Sequence, residues 1–169
     1  MDAPDATAAA REVRRRWRAR EAPDGDFVMF GDGSLRVMDL LRLRSPGQVE
    51  EPQAEHWQWI ELLRATEWSA VNWVDVDAVL ASHAHAGSRA VAGESAAHGS
   101  IGYVALTRDD DEDDLEWVAI SRWSNPFCGV TVDETSVTAV STAGRIWTFS
   151  RNAPQQVVIT EDPDNPWRL

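Results

Sequence analysis

The sequence predicts an α+β protein, with N-terminal helices packed on a mostly antiparallel β-meander sheet of about six to eight strands. Three observations carry that prediction. The first 22 residues are rich in alanine and arginine, both good helix formers. Two further stretches, 54–65 and 75–85, set apolar side chains at helical spacings. From Ile101 the pattern changes to short β-branched and aromatic runs divided by turn signals. Helices first and hairpins after is the order of an α+β domain, and 169 residues favour a single one.

Taken in order, Asp5 can cap a helix over about 6–21, whose thin apolar stripe is Ala10, Val13 and Trp17. The Arg-rich segment 1–22 is marginal as an isolated helix and is expected to be mobile alone. Pro23-Asp24-Gly25 turns the chain into a region, 23–85, read as a hairpin and two helices. The hairpin runs over 26–30 and 34–44 about a Gly-Asp-Gly turn. The helix over 54–65 carries Trp57, Ile60, Leu63 and Arg64 on one side. The helix over 75–85 carries Val76, Val79, Leu80 and His83 at i, i+3, i+4 and i+7. Residues 86–100, AGSRAVAGESAAHGS, are mostly small, and read as a long flexible loop. Strands follow at 101–107, 115–123, 128–133, 136–142, 145–150 and 156–160, each expected to pair with the one before it within the meander 101–160. The tail 161–169 is broken by proline.

Composition excludes more chemistry than it suggests. All 16 basic residues are arginine, so Walker A, kinase, Schiff-base and Ser-x-x-Lys chemistries have no lysine to use. The single Cys128 excludes an internal disulfide, a paired-cysteine zinc site and a Cys-x-x-Cys redox motif. No run of 18 apolar residues and no signal-peptide core is present, so the expected location is cytoplasmic, with no membrane contact. An arginine-only, alanine-rich, acidic chain fits a high-GC bacterium or a salt-adapted archaeon.

Four groups of residues invite a chemical reading. His83, His85 and His98 with Glu94 have ligand chemistry, but His83 sits on an apolar stripe, where a hydrogen-bonded core histidine is the simpler account; no metal and no cofactor are expected. Ser95, His98 and Ser100 lie close in sequence, and with Glu94 they suggest a hydrolase, yet Ala97 stands where a nucleophile elbow needs glycine. Asp109, Asp110, Asp111, Glu112, Asp113 and Asp114, followed by Glu116, form the densest charge. Asp114 stands where a calcium loop of the EF-hand type needs glycine, and a solvated hairpin loop is the plain alternative. The six arginines of residues 1–22 make that segment net +2 against −14 for the rest. Phosphate binding with Trp17 stacking is conceivable there, but the acidic body repels nucleic acid and the arginines are expected all round the helix.

Nine tryptophans are many for this length, and most belong in a core. The chain resembles the small acidic inhibitors known as immunity proteins, which neutralise bacterial toxins; the likeness is one of size, acidity and expected helix-plus-meander build. It implies a non-catalytic protein-binding module, an antitoxin-like inhibitor that occludes a basic partner. Its acidic face would be Asp109–Asp114 and Glu116, with Trp117 and Trp123 beside it. A small-ligand-binding α+β domain with a cavity between helices and sheet is the alternative from another class.

Overall fold

The computed structural model describes residues 6–44, 55–65, 72–95 and 98–165. Among these, one helix, α1 (Ala6–Arg18), precedes thirteen strands: β1 (Glu21–Pro23), β2 (Phe27–Phe30), β3 (Leu35–Arg44), β4 (Glu55–Ala65), β5 (Trp73–Asp75), β6 (Ala78–His85), β7 (Ser88–Ser95), β8 (His98–Arg108), β9 (Leu115–Ser121), β10 (Phe127–Val132), β11 (Ser136–Ser141), β12 (Arg145–Ser150) and β13 (Ala153–Glu161). The fold is therefore mostly β, and the α+β expectation is corrected. A seven-stranded sheet runs β4-β3-β2-β9-β8-β7-β6, a four-stranded sheet runs β10-β11-β12-β13, and β1 pairs with β5. Every pairing is antiparallel.

The two larger sheets form a sandwich, with β10 against β6 and β7 and β13 against β4. Between them lies an aromatic core. Trp59 meets Trp147 edge-on at 5.6 Å, and Phe127 meets Trp147 at 5.5 Å. Phe149 completes the group, 5.7 Å from Trp117 and 6.1 Å from Trp147. On the opposite face of the large sheet, Val13 and Trp17 of α1 pack on Met29, Tyr103, Val118 and Ile120. Gly33, in the β2–β3 turn with φ of +94°, lets the helix approach: a Cβ there would collide with Ala9.

Both internal helices expected from the sequence are strands. Residues 55–65 form β4, position 54 lying outside the described residues, and 75–85 hold the last residue of β5 and all of β6; the reason is the same in each. β4 holds one residue more than its partner between Glu61 and Leu63, and β6 one more between Val79 and Ala81. Each bulge shifts the two-residue alternation by one, leaving apolar side chains at spacings that imitate a helix. The supposed loop 86–100 is largely β7 and the start of β8. Its small residues answer packing: Ala90 and Ala92 are fully buried under the second sheet, and a Cβ at Gly93 would strike the Ala78 carbonyl. The unbroken meander is corrected as well. β9 pairs with β8 and β2, and the chain then leaves that sheet through Arg122–Pro126, so β10 opens the second one.

Trp147 is the shared neighbour in the inter-sheet core. Trp147→Ala is expected to cost about 3–5 kcal/mol in urea unfolding, whereas Trp147→Phe, which also removes a buried N–H without a partner, costs less. Trp123→Ala, at a side chain 64% exposed, stays within about 0.5 kcal/mol of wild type.

Candidate functional site

The acidic run closes the β8–β9 hairpin, and its shape is set by its own backbone first. Arg108 N–H donates to the Asp114 carbonyl, and Asp111 accepts from Asp113 N–H at its side chain and from Asp114 N–H at its carbonyl. Such side-chain-to-backbone bonds are why aspartate is common in tight turns. Distant residues then hold the loop. Trp17 Nε1 donates to the Glu112 carbonyl at 2.8 Å, and Asp109 N–H donates to the Gly87 carbonyl at 2.9 Å.

Three guanidinium groups meet these carboxylates. Arg89 pairs with Asp109 at 2.7 Å and reaches Glu112 at 3.7 Å. Arg20 lies 3.6 Å from Asp113 and 3.9 Å from Glu112, while Arg108 pairs with Asp110 at 2.7 Å and Asp114 at 3.7 Å. Glu116 is the extra residue of a bulge in β9; its side chain is exposed and its carbonyl accepts from Gly31 N–H. Seven carboxylates against three guanidiniums leave the loop net negative by four. It is an ordered acidic knob, fastened to the C-terminal end of α1.

The two tryptophans named with this run part company. Trp117 is buried in the inter-sheet core and donates from Nε1 to the Arg151 carbonyl at 2.9 Å. Trp123 is exposed, but beyond the far end of β9, and a seven-residue strand spans about 23 Å at roughly 3.3 Å per residue. The knob and Trp123 therefore form no common face.

On α1, Val13 and Trp17 point inward, and at 100° per residue Arg11, Arg14, Arg15 and Arg18 spread over the exposed side with Arg16 on its flank, so the arginines form no single stripe. Arg15 and Arg16 pair with Glu12, Arg16 also pairs with Glu21, and Arg16 lies over the Trp73 ring at 4.4 Å. Arg15 and Arg16 together hold the Glu12 carboxyl down to about 2. Trp17, buried and bonded to the knob, presents no face for a base to stack on.

The histidine and serine groups do not assemble. His83 Nδ1 accepts the Val132 N–H at 3.0 Å, tying β6 to β10. Glu94 stands opposite Ala78, five residues along β6 from His83, which is about 17 Å of strand. Ser95 is buried with no partner for its hydroxyl, and Ser100 is partly buried; His85 lies at the end of β6 beside Ser88, while the His98 side chain falls outside the described residues. Among the described residues no group of three His, Cys, Asp or Glu is placed to hold a metal. Between α1, β6 and β8, the recess lined by Trp17, Arg20, Val79, Tyr103 and Glu112 measures about 40 Å³, room for a few waters. Burial pushes the Tyr103 hydroxyl up to about 12.

One cluster was not legible beforehand. Asp26, just before β2, accepts from Ser121 Oγ at 2.6 Å and Trp59 Nε1 at 2.9 Å, and from the Arg122 backbone. These partners stand 33 and 95 residues away, so no local pattern marks them. Burial raises the Asp26 carboxyl despite those donors, and Asp39 adds to the shift. No known protein family matches this chain, and neither a curated protein nor a solved structure matches it.

Because the Asp26 pKa is raised on folding, its stabilising contribution is complete below the unfolded carboxylate range and is lost as pH rises through the folded value. Asp26→Asn keeps an acceptor oxygen but does not ionise. Its stability relative to wild type is expected to improve from pH 3.5 to pH 7, read by urea unfolding at both. Glu12 has the opposite sign, its contribution being lost as pH falls toward 2. Trp17→Phe removes the donor to Glu112 and is expected to cost about 1 kcal/mol, with faster amide exchange across 109–114.

Proposed function

We propose that this chain is a non-catalytic, acidic protein-binding module of inhibitor or immunity type, which covers the cationic face of a partner such as a bacterial toxin. The observation that carries the reading is the knob at 109–116. Its carboxylates stand in an ordered loop held by Trp17, Arg20 and Arg89 from elsewhere in the fold. A disordered acidic tract loses entropy when it docks, whereas an ordered one has already lost it. Asp110, the most open of the paired carboxylates at 69%, and Glu112 at 57% leave charge available to a partner. Opposed charge accelerates encounter and sets orientation. Trp117 is withdrawn from this surface because it belongs to the core. The proposed partner-binding residues are therefore Asp109–Asp114 and Glu116. A cytoplasmic location goes with the reading, in keeping with a free Cys128. No helix among the described residues is long and apolar enough to cross a membrane.

The test uses a nine-residue arginine peptide as the cationic probe, titrated at 50 and 200 mM salt. Asp110→Asn, Asp111→Asn and Glu116→Gln combined should weaken binding on the order of tenfold at low salt. A control neutralising Asp75, Glu134 and Asp164 removes the same formal charge and should bind as wild type does. Equal losses in the two triple variants would replace a defined surface with net charge alone and sink the reading.

A further inference from the structure

The recess at the foot of the acidic knob lies between the end of α1 and strands β6 to β8. Trp17, Val79 and Val91 make its apolar walls, and Tyr103, Thr107 and Glu112 its polar ones. Tyr103 is only 1% exposed. Among the described residues nothing bonds its hydroxyl, which is not sealed as the Ser95 hydroxyl is and lies within the field of Arg20. A polar group so deep and without a partner is uncommon, and points to a partner from outside. Burial keeps this hydroxyl protonated, so it can accept from a cation while donating to a carboxylate.

Arg20 also lines the recess, its guanidinium over the Trp17 ring at 5.1 Å. It follows the end of α1 with φ of +56°, a conformation for which glycine is the usual residue. Its contacts are loose: 3.6 Å to Asp113, 3.9 Å to Glu112 and 3.5 Å to the Trp17 carbonyl. The other two guanidiniums on the knob each make one pair at 2.7 Å.

We propose that this recess receives one arginine or lysine side chain of the basic partner, and that Arg20 is an internal stand-in which the partner displaces. The inference rests on the reading of 109–116 as the partner-binding surface. What Arg20 does there specifies the occupant: a cation on an aromatic face, beside carboxylates. Charge favours the same choice, since the knob stays net negative by four. Size agrees. With Arg20 in place about 40 Å³ remains, room for the head of one side chain whose stem lies along the apolar walls. Displacement leaves the knob ordered, because Trp17, Arg89 and Arg108 still hold it.

The nine-residue arginine peptide at 50 mM salt serves as the probe. Arg20→Met removes the stand-in but keeps an apolar chain over Trp17, and should tighten binding about fivefold. Arg122→Met removes the same formal charge beyond the far end of β9, and should tighten it by less than about twofold. Tyr103→Phe added to Arg20→Met should give back most of the gain. Val79→Phe, at a wall residue 54% exposed, fills the recess without disturbing the core and should weaken binding about threefold. Equal tightening by the two arginine variants, a double variant that keeps the full gain, or a Val79→Phe protein that binds as wild type does overturns the proposal. The neutralised Asp110, Asp111 and Glu116 variant tests the knob alone. Lost binding there beside an unresponsive recess therefore condemns this inference and spares that reading.

Discussion

The contact on which the fold most depends is that between Trp59 of β4 and Trp147 of β12, at 5.6 Å. It joins the edge region of one sheet to the interior of the other, and Phe127, Phe149 and Trp117 gather round it. Two antiparallel sheets have little reason to face each other unless each offers an apolar side, and large aromatic rings bury the most area per residue. Trp59 also donates to Asp26, so the same side chain orients the buried carboxylate at the start of β2. The sandwich then fixes where β8 and β9 end, and hence where the acidic hairpin projects.

Charge is organised around that frame rather than spread over it. Arginines are the only strong bases here, and many are spent within the molecule: Arg16 on Glu12 and Glu21, Arg89, Arg20 and Arg108 on the knob, Arg36 on Glu61. Arginine suits this work because its planar fork bonds a carboxylate while its flat face lies on a ring, as Arg145 lies over Trp57 at 4.0 Å. Exposed pairs of this kind add little stability singly. Their effect at 109–114 is to order a loop that like charges would otherwise spread apart. One surface is thus made acidic and ordered.

The local readings that held were those in which a few neighbouring residues decide the backbone. The helix over the Ala- and Arg-rich start, the hairpin about Gly31-Asp32-Gly33 and the six C-terminal strands match the structure closely. The readings that failed, at 54–65, 75–85 and 86–100, are those in which a distant strand decides. Trp57 and Trp59 alternate with His56 and Gln58 as a strand should, but the bulge at Leu62 gave the wider window a helical appearance. At the candidate site the acidic residues were evident as a run. That Trp117 turns inward, and that Trp123 lies a strand's length away, depended on β9 lying between β2 and β8.

By itself the sequence determined the acidity, the absence of lysine chemistry, the first helix, and the turns that divide the later strands. These are local or additive properties, set by side-chain type and by the φ and ψ that glycine, proline and aspartate favour. Only the tertiary structure decided that β2 enters between β3 and β9, that the strands divide into two facing sheets, and which arginine meets which carboxylate. Those choices rest on backbone hydrogen bonds and apolar contacts between residues up to about a hundred positions apart, as in the 95-residue separation of Asp26 and Ser121. No window of sequence contains both partners, and the energy that selects them appears only when the sheets close on each other.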